Sequence, residues 1–501
     1  MLETLVAQMR TSASIALGIP FSLRALDRLI EAMRQTRHEF GAVGAQAADL
    51  LRGPALDEGT RRAVHGRRFR AQAVRAAAET AYYADLFGRL GLDPSKLRYE
   101  DIQRIPPTTK EALREDPDAF VSRKAAPAFW TTTTGTTGRP TCISFSEREM
   151  RTYIALEAIT FLHNGEVQSD DIVQISTSSR AALGNTCFAG GCARAGAMVS
   201  VGGLIEPRET LAMLAQERRV PGKKPRTSVL SIYPSYLGEL VEYGLSHGYR
   251  PGDFGLERIF VGGEIVTEGL KRRARRLFGP VALGEGYGMT ETWPLTPMVC
   301  SQGHMHYEPS QALVEVVNHE TGMAADAGET GTMVATPLPP YRETTILLRY
   351  DTQDVVRVLL PTSVTCELAH MPATSKVLGK LRLAVHHDRG WTYPRDVLEA
   401  VEGLEEVPLP ARCGMWAVPG GVAVEVVARR NAPEAARTIR ATLEQRGVPV
   451  RELHVGEDPR QLRHPWPVRS DLKELLFADS GASPPPHEDG AAGTASAGGR
   501  P

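Results

Sequence analysis

Residues 131–141 read TTTTGTTGRPT, directly after the apolar PAFW. Almost every side chain in the run is a hydroxyl or a hydrogen, and Arg139-Pro140 nearly closes it. By itself such a run reads as a flexible Gly- and Thr-rich linker. The alternative is a loop that wraps an anion, because successive backbone N–H groups of a glycine-rich turn form a concave donor set. The sequence on either side decides between the two.

Downstream, short apolar runs alternate with helical patterns. DIVQIST (171–177), GAMVSVGG (196–203), SVLSIYP (228–234), ERIFVGGE (257–264) and VALGEGYG (281–288) read as buried strands. PRETLAMLAQERR and TEGLKRRARRLFG between them read as helices. This alternation predicts an α/β fold around a largely parallel sheet. From about residue 310, ALVEVVN, GTMVATPL and TTILLRYDTQDVVRVLL predict a β-rich subdomain. Near LGKLRL (378–383) the character shifts to a compact α+β pattern. The predicted organisation is a helical N-terminal segment (1–80), a large domain with mixed or parallel sheets (81–379), a small mobile α+β domain (380–478) and a low-complexity, disordered tail (479–501). In PPTTKEALRED, the threonines are placed to cap a helix starting near Lys110.

Composition narrows the partners. The 501 residues carry 58 Lys+Arg against 59 Asp+Glu, which argues against nucleic acid or an anionic membrane. No apolar run reaches the roughly 18 residues of a membrane span. The N-terminus lacks the uninterrupted apolar core of a signal peptide. The 6 cysteines form no dense framework, so a reduced, cytoplasmic compartment is expected.

Further stretches follow TTTTGTTGRPT in order: FVGGE (260–264), GEGYGMTET (284–292), RYDTQDVV (349–356) and VLGKL (377–381). With AYYADLFGRLGLDPSKLRYEDIQRIPPTTKEALRED before them and TYPRDVLEAV after, the chain resembles the adenylate-forming enzymes over residues 80–430. The branch it is most similar to is that of the phenylacetate–CoA ligases. The resemblance implies activation of a carboxylic acid by ATP and Mg²⁺ to an acyl-AMP, with release of pyrophosphate. It assigns Thr131, Thr132, Thr133, Thr134, Gly135, Thr136, Thr137 and Gly138 to the β- and γ-phosphates. Arg139, standing where the family has Lys, would neutralise them. Tyr287 and Gly288 would flank the adenine, Tyr287 by stacking. Gly262, Gly263 and Glu264 would form the opposite wall, and Glu285 joins the nucleotide set. Thr290 would bond the α-phosphate and Glu291 would hold Mg²⁺, although an isolated Thr-Glu pair reads as helix capping. Asp354 would take the ribose hydroxyls, with Asp351 and Gln353 replacing the family's Arg and Gly. Lys473 is the one lysine after Lys380. It stands where the family's small domain carries the lysine of adenylation.

The acid is expected to be aromatic or heteroaromatic. Its pocket would draw on the 183–192 segment, with Phe188 and Gly190, and on Gly284 and Gly286. The acceptor is expected to be an amine, giving an amide, with coenzyme A as the alternative. Two departures carry that preference. The hinge Gly379-Lys380-Leu381-Arg382 lacks the family's Asp, and Trp391 in DRGWTYP is bulky enough to narrow a pantetheine passage. A non-catalytic nucleotide-binding homologue would have no need of Lys473. Some relatives hold a structural zinc, and the matching residues are Cys300, His306 and Cys366, with His370 for the missing cysteine. Scattered Cys and His without metal is the competing reading.

Overall fold

The computed structural model of the chain describes residues 2–40, 57–133 and 141–469. Helices Leu2–Leu17, Leu23–Phe40 and Glu58–Glu79 open the chain, and Ala81–Leu90 follows. The apolar periodicity of 67–91 reads as one helix. The structure breaks it at Thr80, which ends one helix and caps the next by accepting from the Tyr83 N–H. Thr109 caps Lys110–Glu115 in the same way.

Strands β1 (Pro127–Thr132) and β2 (Cys142–Ser146) pair antiparallel. Strands β3 (Ile172–Ser176), β4 (Met198–Val201), β5 (Val229–Ile232), β6 (Arg258–Gly262) and β7 (Ala282–Gly286) are mutually parallel. They are the five short apolar runs of the sequence, and helices cover them as βαβ crossovers require. Antiparallel β8 (Met298–Val299) and β9 (His304–His306) extend the sheet. The β-rich piece is β10 (Ala312–Val317), β11 (Thr330–Pro337) and β12 (Tyr350–Arg357). Then β13 (Ala373–Ser375) returns to the main sheet and β14 (Gly379–Lys380) joins β12. The main sheet is thus eight-stranded, ordered β13-β9-β8-β7-β6-β5-β3-β4, and mixed rather than purely parallel.

Hairpin β15 (Val385–His387) and β16 (Gly390–Thr392) leads to a three-stranded sheet of β17 (Cys413–Val418), β18 (Gly421–Val427) and β19 (Val450–Gly456). Helices Pro394–Val401 and Pro433–Gln445 pack on it around Val397, Val401, Val422, Val424, Ile439 and Leu443. Contacts tie this small unit to the large one. Thr267 Oγ1 donates to Glu402 at 2.5 Å, and Arg273 donates to the Val407 carbonyl at 2.8 Å. A Cβ at Gly269 would fall 2.5 Å from the Gly403 nitrogen, so only glycine allows the helix at Glu268–Phe278 to come so close. Among the described residues, no helix is long and apolar enough to cross a membrane.

Candidate active site

The opening stretch is no linker at its base. Thr131 and Thr132 lie in β1, in register with Ile143 and Cys142 of β2, and the Thr133 N–H donates to the Thr141 carbonyl at 2.9 Å. The hydroxyls of Thr133 and Thr141 are buried without a hydrogen-bond partner among the described residues. Buried hydroxyls that no protein group satisfies are the kind a ligand satisfies. Thr134, Gly135, Thr136, Thr137, Gly138 and Arg139 lie outside the described residues.

Two carboxylates sit past the C-terminal end of β7 and on β12. Glu291, 2% exposed, accepts from Lys110 Nζ and from the Tyr350 hydroxyl, both at 3.1 Å and both on Oε1. Oε2 has no protein partner among the described residues, so one oxygen remains for a hard cation such as Mg²⁺. Burial and the neighbouring Glu291 charge push the Tyr350 phenol well above its usual range. Thr290 is half-buried beside Glu291. Lys110 was not among the residues the sequence reading assigned. Its signal was PPTTK, where a capping threonine fixes the start of the helix and so the direction of the next side chain.

Asp354 accepts from the Tyr287 hydroxyl at 2.9 Å and pairs with Lys380 Nζ at 3.0 Å. The β12–β14 register sets Asp354 opposite Lys380. Lys380, expected at the hinge, therefore lies beside the ribose candidate. Burial, with Asp354 next to it, raises the Tyr287 phenol far above 10. Gln353, standing where relatives have Gly, has φ +60°, a conformation glycine adopts freely. Asp351 supports it by accepting from the Gln353 N–H at 3.0 Å.

The wall of glycines is built by close approach. A Cβ on Gly262 would lie 2.6 Å from the Gly286 carbonyl oxygen, and Gly263 has φ +85°. Gly286 and Gly288 are exposed, and a Cβ on Gly286 would meet nothing within 4 Å. Gly284 lies under the ring of Phe260.

Three expected roles change. Glu264 spends its carboxylate on backbone, accepting from Ser235 N at 2.8 Å and Arg469 N at 2.6 Å, so only its main chain is left for the wall. Glu285 is not free for a nucleotide. Lys376 at 3.0 Å, Lys271 at 3.4 Å and Arg395 at 3.7 Å surround it. Gly190 serves helix packing rather than a pocket, since a Cβ there would strike Ile154 at 2.9 Å. Phe188 does stand in the layer between helix Ala182–Ala195 and the sheet. Its ring lies 5.2 Å from Phe161 and 5.3 Å from Phe260. Lys473 lies outside the described residues. Arg469, four positions before it, is held by Glu264 and has its guanidinium 5.3 Å from the centre of the Tyr233 ring.

At the domain junction, Trp391 Nε1 donates to Glu320 at 2.7 Å. Its ring meets His319 edge-on at 4.6 Å and His386 at 4.9 Å. Its indole is committed to the interface between the small unit and the β10–β11 connection.

A second cluster joins Cys300, His304, His306 and Cys366, whose ligand atoms all lie within 4.8 Å of one another. Cys366 Sγ is 3.1 Å from His306 Nε2. The fourth member is His304, not the expected His370. The reason is strand periodicity: residues 304 and 306 of β9 point to the same face. Among the described residues, Nδ1 of both histidines is buried without a hydrogen-bond partner, and a Cys₂His₂ donor set suits tetrahedral zinc.

Residues 72–336 match the family model described as AMP-binding enzyme. The phenylacetate-coenzyme A ligase of Thermus thermophilus is 26% identical over 362 residues, 70% of this chain and 74% of that one. That of Pseudomonas putida is 25% identical over 55% of this chain, a match spanning 62% of its own length, less than two thirds. A crystal structure of 2-hydroxyisobutyryl-CoA ligase with 2-HIB-AMP superposes with a TM-score of 0.66 at 17% identity, covering 84% of this chain and 92% of that one.

Proposed function

The chain belongs to the AMP-binding enzyme family, and on that premise we propose that it activates an aromatic or heteroaromatic carboxylic acid with ATP and passes the acyl group to coenzyme A. One observation carries the first half. Two buried carboxylates are already paired, Glu291 with Lys110 and Tyr350 and Asp354 with Tyr287 and Lys380, and at the base of the threonine hairpin the hydroxyls of Thr133 and Thr141 are unsatisfied among the described residues.

In this reading a carboxylate oxygen of the acid attacks the α-phosphorus of ATP. The bond from that phosphorus to the bridging oxygen breaks, and pyrophosphate leaves. Asp354 holds the ribose hydroxyls, and Lys380 and Tyr287 fix its carboxylate before ligand arrives, so no reorganisation is spent at the reaction. Glu291 would hold Mg²⁺, which would supply charge neutralisation on the phosphates, while Lys110 and Tyr350 hold the other carboxylate oxygen. Thr290 bonds the α-phosphate. The threonine loop and Arg139 take the β- and γ-phosphates. Lys473 bridges the acid and the α-phosphate. In the second half the thiolate sulfur of coenzyme A attacks the acyl carbon, the acyl–phosphate C–O bond breaks, and AMP leaves.

Coenzyme A is favoured because Trp391 already has an interface role, which weakens the reason for invoking it as a plug. An amine acceptor is the second reading, and the hinge without its Asp favours it. Cys300, His304, His306 and Cys366 would hold a zinc ion with a structural role. A mass-spectrometric assay with ATP, Mg²⁺, a pool of aryl acids, coenzyme A and primary amines tests both halves. Aryl thioesters support the proposal. Amides that persist without coenzyme A support the amine reading. No pyrophosphate from any acid sinks both.

A further inference from the structure

The end of the small unit crosses back to the large one as a strap, and a carboxylate holds it on each side. On the small unit, buried Glu425 accepts from the Arg463 N–H at 2.7 Å and from the His464 N–H at 2.6 Å. The Trp466 N–H donates to the Cys413 carbonyl at 2.8 Å, and the Trp466 side chain packs on the core of the small unit. A Cβ on Gly414 would overlap the His464 carbonyl oxygen, so β17 admits the strap this closely only at a glycine. Pro467 and Val468 alone separate Trp466 from Arg469. At Arg469 the chain has reached the other unit, where its N–H donates to Glu264 Oε1 at 2.6 Å.

Glu264 directly follows the glycines at the carboxyl end of β6. Its Oε2 accepts from the Ser235 N–H at 2.8 Å. Ser235 lies in the first turn of the helix Pro234–Ser246, so the same carboxylate satisfies one of that helix's N-terminal donors. Each oxygen of Glu264 is thus used once, one on the large unit and one on the strap. The Arg469 guanidinium adds a second hold, 5.3 Å from the centre of the ring of Tyr233, which is the N-cap of that helix. A Cβ on Gly263 would lie 3.2 Å from the Tyr233 ring and 3.8 Å from the guanidinium carbon. The strap therefore meets the large unit at the glycine wall itself.

We propose that Glu264 is a positioning residue for acid activation: by clamping the Arg469 N–H it fixes the strap on the glycine wall, and with it the start of the segment that carries Lys473. This rests on the proposed activation and on the role given there to Lys473. Four residues span at most about 14 Å, so an anchored Arg469 confines Lys473 to the neighbourhood of the wall. Without the clamp the crossing loses its backbone anchor, and the lysine reaches the acid and the α-phosphate in fewer of its conformations. A misplacement of about 1 Å at a reacting group costs up to about 100-fold in rate. Transfer of the acyl group from a preformed acyl-AMP calls on no group of the strap and is indifferent to the clamp.

The test is acid-dependent exchange of labelled pyrophosphate into ATP by the full chain, with an aryl acid that the wild type activates. Glu264→Gln keeps one acceptor oxygen and turns an NH₂ group on the other backbone N–H. It should lower kcat about 10- to 100-fold and leave KM for ATP near the wild-type value. Arg469→Ala, which keeps the N–H, should cost less than Arg469→Pro, which removes it. In a Lys473→Ala background Glu264→Gln should have no further effect, because a residue that acts through the lysine has nothing left to act on. Acyl transfer from synthetic acyl-AMP to the acceptor the wild type uses should keep its rate in the Glu264 and Arg469 variants. Wild-type exchange by Glu264→Gln, a loss of equal size with and without Lys473, or an equal loss in the transfer step overturns the proposal. If Glu264→Gln does not fold, the Arg469 pair decides. These outcomes defeat this inference alone. A wild type that exchanges no pyrophosphate with any acid defeats the activation reading as well.

Discussion

The carboxylates set into the body of this chain follow two plans. Those of the proposed nucleotide site have protein partners: Glu291 with Lys110 and Tyr350, Asp354 with Tyr287 and Lys380. Glu157, in the helix Glu147–Asn164, has none among the described residues. The difference teaches what a partner does for a carboxylate inside a protein. Chemistry shared by every substrate gains from groups fixed before binding. A carboxylate left without a partner is instead pushed toward its neutral form, as burial does at Glu157.

The largest expected effect tests whether the paired carboxylates suffice without the small unit. Lys473→Ala should lower adenylation by about 100- to 1000-fold, the scale for losing one charge-stabilising group at a transition state. ATP binding should persist by calorimetry. Pyrophosphate release close to wild type would show that the pre-paired carboxylates suffice and that Lys473 is a surface residue. Next, Asp354→Asn removes the charge that fixes Lys380. KM for ATP should rise about 10- to 100-fold, as for a lost hydrogen bond to a charged group. An unchanged KM would mean that the pairing serves the fold and not the nucleotide.

The four-residue Cys/His cluster is a third arrangement, complete in donors. Elemental analysis should find one zinc per chain, and Cys366→Ser should lose it. The melting temperature should fall by about 5 °C, the effect of roughly 2 kcal/mol in a domain of this size. A chain that is metal-free as purified, and no less stable as the variant, removes zinc from the description.

The smallest effect sharpens the contrast through Glu402. Burial raises its carboxyl to about 7, as for Glu157, but Thr267 and the Ala411 N–H bond it. Its folded pKa lies above the unfolded value of about 4.5, so between those values the native state binds more protons than the unfolded one. Stability should therefore fall as pH rises from about 4.5 to 7 and level off above, with a slope from this group of at most about 1.4 kcal/mol per pH unit. Glu402→Gln should flatten that part of a denaturation series. A wild-type curve that rises across the window would contradict the raised value.

Legibility followed local pattern. Strands β3 to β7 were readable because buried parallel strands are short, branched apolar runs between turn residues. Strands β1 and β17 were not. PAFWTT was overshadowed by the glycine run after it, and CGMWAV has no polar alternation to give it away. His304 was passed over in favour of His370 because spacing was counted along the chain, when the two-residue period of β9 decides the face. Glu157 gave no signal, since one acid in a helical pattern reads as solvent-facing.

The sequence by itself determined the α/β class, the order of the motifs from TTTTGTTGRPT to VLGKL, and the kinship they carry. These reside in residue type and short spacing. Only the tertiary structure decided which of those groups are paired. Lys110 and Glu291 are 181 residues apart, Tyr287 and Asp354 67. Glu157 owes its position to a glycine on another helix. The state of a buried charge depends on what surrounds it in space, and chain separation carries no information about that.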